Sequence, residues 1–256
     1  MSRENPREER VNSLKRGLAV LKSFARHYEP MTITEVAAET DMAPASARRM
    51  LLTLVDLGYV EQNGKRFRVA PKVLDLGYSY LSSMPLWEIA QPVLDRLSEL
   101  FQISSSASVL DGCDILYAFR ATHNERSSVL VSTGTRQPAH VTAMGRVLLA
   151  SLPPDKLDEV IAQIDFNPLT VNSVSDPAEL RMILDKVREQ DFSIVDEELE
   201  IGLRAIAVPI RNRRGTVVAA INAAGRSQSL TRETLANDIL PVMRESADEI
   251  RARLPA

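Results

Sequence analysis

The chain has 256 residues, of which 45% are hydrophobic, 25% are charged and one is cysteine. At about 150 residues per domain this length predicts two domains, and the composition is that of a globular protein rather than a disordered or fibrous one. The lone Cys113 excludes an intramolecular disulfide and a cysteine-cage metal site. The longest uncharged run, Leu76–Trp87, is too short to span a membrane, and the charged start Met1–Arg10 lacks the apolar stretch of a secretory signal, so we expect a cytoplasmic protein.

Charge is distributed unevenly along the chain. Residues 1–80 carry 13 basic and 10 acidic side chains, a net +3, whereas the remaining residues carry 18 basic and 24 acidic ones, a net −6. A basic amino-terminal part on an acidic body suggests that the first part meets a polyanion.

Three helices are predicted in the amino-terminal part. Apolar residues recur at helical spacing over residues 13–25 and define an amphipathic first helix. The short second helix, Thr32–Thr40, opens on a capping box, because Glu35 follows the capping threonine by three residues. Proline suits the first turn of the third helix, Pro44–Leu57, and Gly58 supplies the left-handed residue that ends it.

The third helix has an apolar face and a polar face. At 100° per residue, the apolar face carries Ala47, Met50, Leu51 and Leu54, and the polar face carries Ala45, Arg48, Arg49, Leu52 and Asp56. The small residues Ala45 and Ser46 allow another molecule to approach the polar face closely.

A basic hairpin follows this helix. Asn63-Gly64 separates Tyr59–Gln62 from Lys65–Val69, where apolar residues alternate with basic ones. Asn-Gly between alternating runs is a strong hairpin signal, because a type I′ turn needs positive φ at both central positions. Helix, short helix, helix and hairpin is the order of a winged helix-turn-helix.

This order predicts how the module binds double-stranded DNA. The third helix enters the major groove, where Ser46, Arg48 and Arg49 face the duplex, and the hairpin brings Lys65 and Arg66 to the flanking backbone or minor groove. In the alternative interpretation the two arginines form a solvated helix face and the hairpin is a surface ribbon.

A linker helix and a larger α+β body complete the prediction. Helical spacing continues from Pro71 to Leu81, Ser82–Pro85 interrupts it, and Leu86–Phe101 forms a long amphipathic helix. Strands are predicted at Ser106–Leu110, Ile115–Arg120, Val129–Ser132, Ser193–Asp196, Ala205–Arg211 and Val217–Ala223, and helices at about 142–151, 155–164, 177–190 and 232–253. We assign residues 13–72 to a DNA-binding domain, 73–85 to a linker helix and hinge, and 86–253 to a mainly antiparallel α+β domain.

Two charged clusters in the body have a simple and a functional interpretation. Arg211–Arg214 joins two predicted strands, which favours a hairpin turn over a second nucleic-acid patch. The acidic run Asp196–Glu198, with Glu200 nearby, has no histidine or cysteine at ligand spacing, which favours a solvated strand end over a metal site.

One helix start in the body suits an anion. Thr142 is a good N-cap, and the small residues Ala143 and Gly145 are expected to leave the first backbone N–H groups open. Free N–H donors and the helix dipole both favour negative charge at such a start.

Several motifs together resemble a known family. Met31–Thr40, Arg48–Val60 and Leu74–Gly77 resemble the DNA-binding domain of the IclR family of bacterial transcription factors, and the resemblance continues nearly to the end of the chain. Ala45–Arg49 and Leu76–Leu81 further resemble the branch that controls aromatic-acid breakdown through the β-ketoadipate pathway. Most of the wider family has Ser-Thr followed by one apolar residue where this chain has Ala45, Ser46 and Ala47, so the base preferences of other branches do not transfer.

The resemblance implies a GAF-like effector domain that takes a small organic acid such as β-ketoadipate or protocatechuate, with no cofactor. Gly134–Ala150 resembles the family's effector signature, and two later strands match the walls of the same pocket. The implied effector residues are His140, Thr142, Ala143, Met144, Gly145, Asp196, Arg204, Ala205 and Asn222. Arg204 is expected to pair with the effector's carboxylate, and His140 has an alternative interpretation as a structural histidine. The first helix and the linker helix are candidate surfaces of a homodimer, with a dimer of dimers also open.

Two other classes of function were weighed. The sequence contains none of the common nucleophile, dinucleotide, phosphate-loop or zinc motifs, and its three histidines are dispersed, so we do not expect an enzyme. An effector-blind architectural DNA binder would need neither the effector signature nor the large acidic body. The sequence does not distinguish an activator from a repressor.

Overall fold

The computed structural model describes residues 11–122 and 132–255. They fall into two compact units that divide between Ser83 and Met84. The predicted strand Val129–Ser132 lies outside the described residues except for Ser132, so it stays a prediction.

The described residues of the first unit form four α-helices and a small sheet. The helices are α1 Asn12–Ser23, α2 Ile33–Glu39, α3 Pro44–Asp56 and α4 Leu74–Ser82, and the strands are β1 Met31–Thr32, β2 Val60–Asn63 and β3 Arg66–Val69. The antiparallel sheet has the order β1, β3, β2. Its core is formed by side chains from all of these elements except α4, among them Val20, Phe24, Met31, Val36, Ala47, Leu51, Leu54 and Phe67.

Local sequence signals explain these elements. Thr32 and Glu35 form the predicted capping box, with the Thr32 side chain accepting from the Glu35 amide and the Glu35 carboxylate accepting from the Thr32 amide. Gly58 has the expected positive φ of 79° after α3. The wing hairpin is confirmed but its turn is displaced by one residue: Asn63 pairs with Arg66, so Gly64-Lys65 forms the turn.

The described residues of the second unit are built on a six-stranded antiparallel sheet. The strands are β4 Ser104–Asp111, β5 Asp114–Ala121, β6 Arg136–Pro138, β7 Ser193–Asp196, β8 Leu203–Arg211 and β9 Val217–Arg226, in the order β6, β5, β4, β9, β8, β7. The helices are α5 Leu86–Phe101, α6 Ala143–Ala150, α7 Pro154–Ile161, α8 Pro177–Gln190, α9 Arg232–Thr234 and α10 Leu240–Arg253. The predicted α+β class is confirmed, and β6 is an edge strand that was not among the predicted strands.

Helices cover both faces of this sheet. On one face α6 packs with α7 and α8 over Val195, Ala207 and Ala220. Because side chains alternate along a strand, Ile206 and Val208 point to the opposite face, and α5 and α10 pack together against the sheet. A π turn over Leu235–Ile239 separates α9 from α10, so the single helix predicted over 232–253 is interrupted. Pro241 explains the interruption, since it has no N–H for the regular helical bond.

Candidate functional site

The polar face of α3 presents two exposed arginine side chains. Arg48 and Arg49 are exposed, whereas Ala47 and Leu51 on the opposite face are fully buried. Neither arginine forms an ion pair within the described residues. Two adjacent guanidinium groups on a rigid helix can contact base edges or phosphates.

Ser46 lies in the first turn of α3 and is half-buried. Its hydroxyl oxygen accepts from Nη1 of Arg16, on α1, at 3.5 Å. The predicted residue is therefore in contact with a basic side chain of another helix.

The two basic residues of the wing differ in their freedom. Lys65 is exposed in the hairpin turn. The Arg66 side chain turns back instead, and its Nη1 donates to the carbonyl oxygen of Pro30 at 2.6 Å. Lys65 can reach a phosphate with its whole ammonium group, and Arg66 with the N–H groups that Pro30 does not occupy.

The start of α6 is covered by its own chain. Thr142 is the N-cap, as predicted, and accepts from the amide of Gly145 at 3.2 Å. A Cβ on Gly145 would overlap the backbone of Ala139, and Ala143 and Met144 are buried. The expectation of an open approach at Gly145 is wrong, because the glycine accommodates the preceding turn.

His140 is 2% exposed and lies in that preceding turn. Its ring centroid is 5.3 Å from that of Phe166, and neither ring nitrogen has a hydrogen-bond partner among the described residues. Burial, and then the charge of Arg146, lower the pKa of His140, so the ring is neutral at pH 7. The role of His140 in effector binding therefore stays a prediction.

Arg204 forms hydrogen bonds with its own chain through two guanidinium nitrogens. Its Nε donates to Asp196 at 2.7 Å, and its Nη1 donates to the carbonyl oxygens of Ser227 and Leu230. Arg204 also points away from α6, because its neighbour Ala205 packs into the cluster that contains Met144. The prediction of Arg204 as the carboxylate partner is therefore corrected. Asp196, which Arg204 binds, lies on the same side of the sheet as Arg204, away from α6.

The sheet face under α6 carries a polar row instead. Ser106 of β4 pairs with Arg120 of β5 on one side and with Asn222 of β9 on the other. Directly paired side chains lie about 5 Å apart, so the three form a continuous row. Ser108, two residues from Ser106 on the same face, donates to Sδ of Met144 at 3.2 Å, which places α6 over the row.

Burial makes this row suited to a polar ligand. Asn222 is buried, and its Oδ1 has no hydrogen-bond partner among the described residues. Arg120 is half-buried, donates to Ser104 Oγ at 3.3 Å, and has its pKa lowered by burial. Ala205 belongs to a neighbouring row with Ala224, so two of the predicted residues, Asn222 and Ala205, are brought together here.

Arg120 and Ser106 were not among the predicted site residues, although both lie in predicted strands. The alternating serines of β4 at 104, 106 and 108 were a usable signal, since period two places them on one face of a predicted strand. The direction of the Arg120 side chain is harder to predict, because an extra residue two positions earlier, Ala118, shifts the register of β5.

The charged clusters are structural. Glu198 is buried against Arg146 at 2.6 Å, and Glu197 accepts from Ser227 Oγ at 2.5 Å, so the expectation of a solvated strand end is wrong. Throughout residues 11–122 and 132–255, no group of three His, Cys, Asp or Glu side chains is placed to hold a metal ion. The Arg211–Arg214 segment is a turn, in which Asn212 Oδ1 accepts from two backbone amides. No helix of the described residues is long and apolar enough to cross a membrane.

Comparison with known proteins covers both units. Residues 13–64 match the family described as IclR helix-turn-helix domain, and residues 78–252 match Bacterial transcriptional regulator IclR C-terminal. The Pca regulon regulatory protein of Pseudomonas putida is 41% identical over 91% of this chain and 80% of its own length.

Solved structures agree with the fold. A transcriptional regulator from Rhodococcus sp. RHA1 is 44% identical and superposes with a TM-score of 0.85 over 96% of this chain and 98% of its own. An IclR homologue from Microbacterium hydrocarbonoxydans, solved in complex with 4-hydroxybenzoate, is 25% identical, with a TM-score of 0.82 over 94% of this chain and 98% of its own.

Proposed function

The chain belongs to the IclR family of bacterial transcriptional regulators, and from this premise we propose that it controls an operon for aromatic-acid breakdown in response to a small organic acid. Family membership identifies a DNA-binding regulator rather than an enzyme. The relative from Pseudomonas putida is a Pca regulon regulatory protein, and this supports the aromatic-acid branch. A regulator of this kind meets its operator in the bacterial cytoplasm, where we place the chain.

The DNA-binding residues of the proposal are on α3 and the wing. Arg48 and Arg49 reach base edges in the major groove beside Ser46, and Lys65 contacts the flanking backbone. The exposure of both α3 arginines and their lack of ion-pair partners among the described residues support this placement. Arg66 donates to Pro30 through Nη1 and contacts the flanking backbone with its remaining N–H groups.

The effector site of the proposal is the polar row under α6. Arg120 binds the carboxylate of the ligand by a charge-assisted hydrogen bond, while Ser106 and Asn222 bind its other oxygen atoms. The observation that carries this assignment is Asn222, a buried amide whose oxygen has no partner among the described residues although buried polar atoms are normally satisfied. A ligand hydroxyl group would satisfy it.

The chemistry of the ligand follows from these residues. The site offers a guanidinium for a carboxylate and amide and hydroxyl groups for hydroxyl or keto oxygens, with Met144 and Tyr117 as apolar neighbours. Protocatechuate, 4-hydroxybenzoate and β-ketoadipate all fit this description. The 4-hydroxybenzoate bound by the Microbacterium hydrocarbonoxydans homologue supports a hydroxybenzoate.

The proposed assembly is a homodimer, with a dimer of dimers as the larger alternative. None of the nine residues of α4 is buried, and Leu74 and Tyr78, one helical turn apart, are exposed. A short helix gains most of its stability from packing, so α4 needs a covering surface. Gly77 lies between Leu74 and Tyr78 and has open space around it, which lets α4 of a second copy of the chain approach closely.

Calorimetric titration of the full chain tests the effector proposal. We expect saturable binding of at least one of the three acids, and no binding of 4-hydroxybenzyl alcohol, which keeps the ring and the hydroxyl group but lacks the carboxylate. Equal binding of the alcohol and the acid, or no binding of any acid, would contradict it.

A further inference from the structure

Arg16 of α1 lies beside the first turn of α3. Its Nη1 reaches the hydroxyl oxygen of Ser46 at 3.5 Å, although 30 residues separate the two along the chain. The two helices pack on each other through the core of the first unit, where Val20 and Leu51 are fully buried. The contact therefore joins two parts of one rigid unit.

Arg16 carries a positive charge at an exposed position of α1. Arg16 is exposed and forms no ion pair within the described residues, as is also true of Arg48 and Arg49. Arg68, in contrast, is paired with Glu61 at 2.6 Å. The basic surface formed by Arg48 and Arg49 on α3 therefore extends to Arg16 on α1, which contacts Ser46.

The contact also orients the Ser46 hydroxyl group. A guanidinium can only donate, so the serine oxygen is the acceptor and its own hydrogen is free to donate elsewhere. Phosphate oxygens and the N7 and O6 atoms of guanine are acceptors of such a hydrogen. Ser46 is thus presented to DNA as a donor.

We propose that α1 is part of the DNA interface, with Arg16 contacting a phosphate that flanks the bases read by α3 and orienting Ser46 as a donor to the duplex. This inference rests on the proposed DNA-binding function. The remaining N–H groups of the guanidinium, which carries five, form the phosphate contact.

Salt dependence of DNA binding tests the phosphate contact. The probes are a duplex selected from random sequences by the wild-type chain and a scrambled duplex of the same length. We expect Arg16→Ala to weaken binding to both and to make the slope of log K against log salt shallower by about 0.9, the value for one lost phosphate contact on duplex DNA. Arg16→Lys should keep the wild-type slope.

Lys15→Ala is the matched control, because it removes the same charge from an adjacent exposed position that points about 100° away on α1. It should leave the slope unchanged. An Arg16→Ala slope equal to that of the wild type, or an equal change in Lys15→Ala, would overturn the proposal. If the wild-type chain itself selects no duplex, it is the DNA-binding function that fails.

A double-mutant cycle tests the orientation of Ser46. If Arg16 orients the hydroxyl group, then Ser46→Ala in the Arg16→Ala background should weaken binding by a smaller factor than it does in the wild type. Equal factors in the two backgrounds would show that Arg16 does not act through Ser46. Unchanged melting temperatures of Arg16→Ala and Ser46→Ala would confirm that the two substitutions leave the fold intact.

Discussion

Arg146 of α6 donates to a carboxylate oxygen of Glu198 across 2.6 Å, and the two side chains are only 3% and 10% exposed. The pair is well satisfied: Arg146 Nε also donates to the carbonyl oxygen of His140, and Glu198 also accepts from the amide of Val174. It therefore joins α6 to the segments on both sides of α8. Removing one partner would leave the other as a buried unpaired charge.

We expect Glu198→Gln or Arg146→Met to destabilise the second unit by about 3 to 5 kcal/mol. Urea unfolding measures this change, and Lys156→Ala is the control, since its ion pair with Glu159 has the similar distance of 2.7 Å but is exposed. The control should cost less than about 1 kcal/mol. Similar losses in the buried and exposed variants would show that the buried pair has no special role.

Gly145→Val should disrupt the second unit rather than block a ligand. The added side chain overlaps the backbone of Ala139, which has no room to move in a fully buried turn. We expect a loss of several kcal/mol, consistent with overpacking and strain in a core. Gly17→Ala in α1 is the contrasting variant, because its Cβ meets nothing within 4 Å, and it should stabilise the first unit by about 0.5 to 1 kcal/mol. A soluble, normally melting Gly145→Val variant would refute this account.

The stability of the protein should depend on pH through Asp196, which accepts hydrogen bonds from Arg204 and Arg232. Burial would raise the pKa of Asp196, but hydrogen bonds from Arg204 and Arg232 outweigh it and lower the pKa below the ordinary value of 3.8. The stabilisation is therefore present above that value and is lost as pH falls through the lower native pKa. Asp196→Asn should melt at a lower temperature than the wild type at pH 7, and the difference should shrink in acid. A difference that is constant with pH would contradict this sign.

The sequence predicted the elements better than the side-chain directions. Periodicity, capping and turn signals located α2, α3 and the wing hairpin, because these are local properties. The turn of this hairpin is displaced by one residue, since Asn63 pairs with Arg66. Turn chemistry marks where a chain reverses, but cross-strand packing decides the register.

The proposed effector site shows why side-chain direction is harder to predict. Between Tyr117 and Phe119, which pair with neighbouring residues of β4, Ala118 is an extra residue in β5. Such a bulge reverses the alternation, so Tyr117 and Arg120 share a face although they are three positions apart. The prediction for Arg204 failed for a simpler reason. Arg204 and Ala205 are adjacent in a regular strand, so their side chains lie on opposite faces of the sheet.

Arg120 should therefore determine the affinity for the effector. Arg120→Gln removes the charge from the polar row and should weaken binding of the acid found by titration by about 1.5 to 3 kcal/mol, roughly 10- to 150-fold. Arg136→Gln is the matched control, since this arginine of the same sheet pairs with Asp111 on the surface.

Asn222→Ala should also weaken binding of a hydroxylated acid, and should affect benzoate, which lacks the hydroxyl group, less. Melting temperatures check that both variants fold.

Operator binding should respond to Arg48 and Arg49 independently of the effector. Arg48→Ala and Arg49→Ala change exposed residues, so neither should alter the melting temperature. An arginine that reads a guanine should cost about 1 to 3 kcal/mol when it is lost and relax the preference at one base pair, whereas an arginine on a phosphate should weaken all duplexes alike. Arg68→Ala, which breaks the exposed pair with Glu61, is the control and should leave operator affinity close to that of the wild type. If both α3 variants bind the selected duplex as tightly as the wild type, then α3 does not enter the major groove.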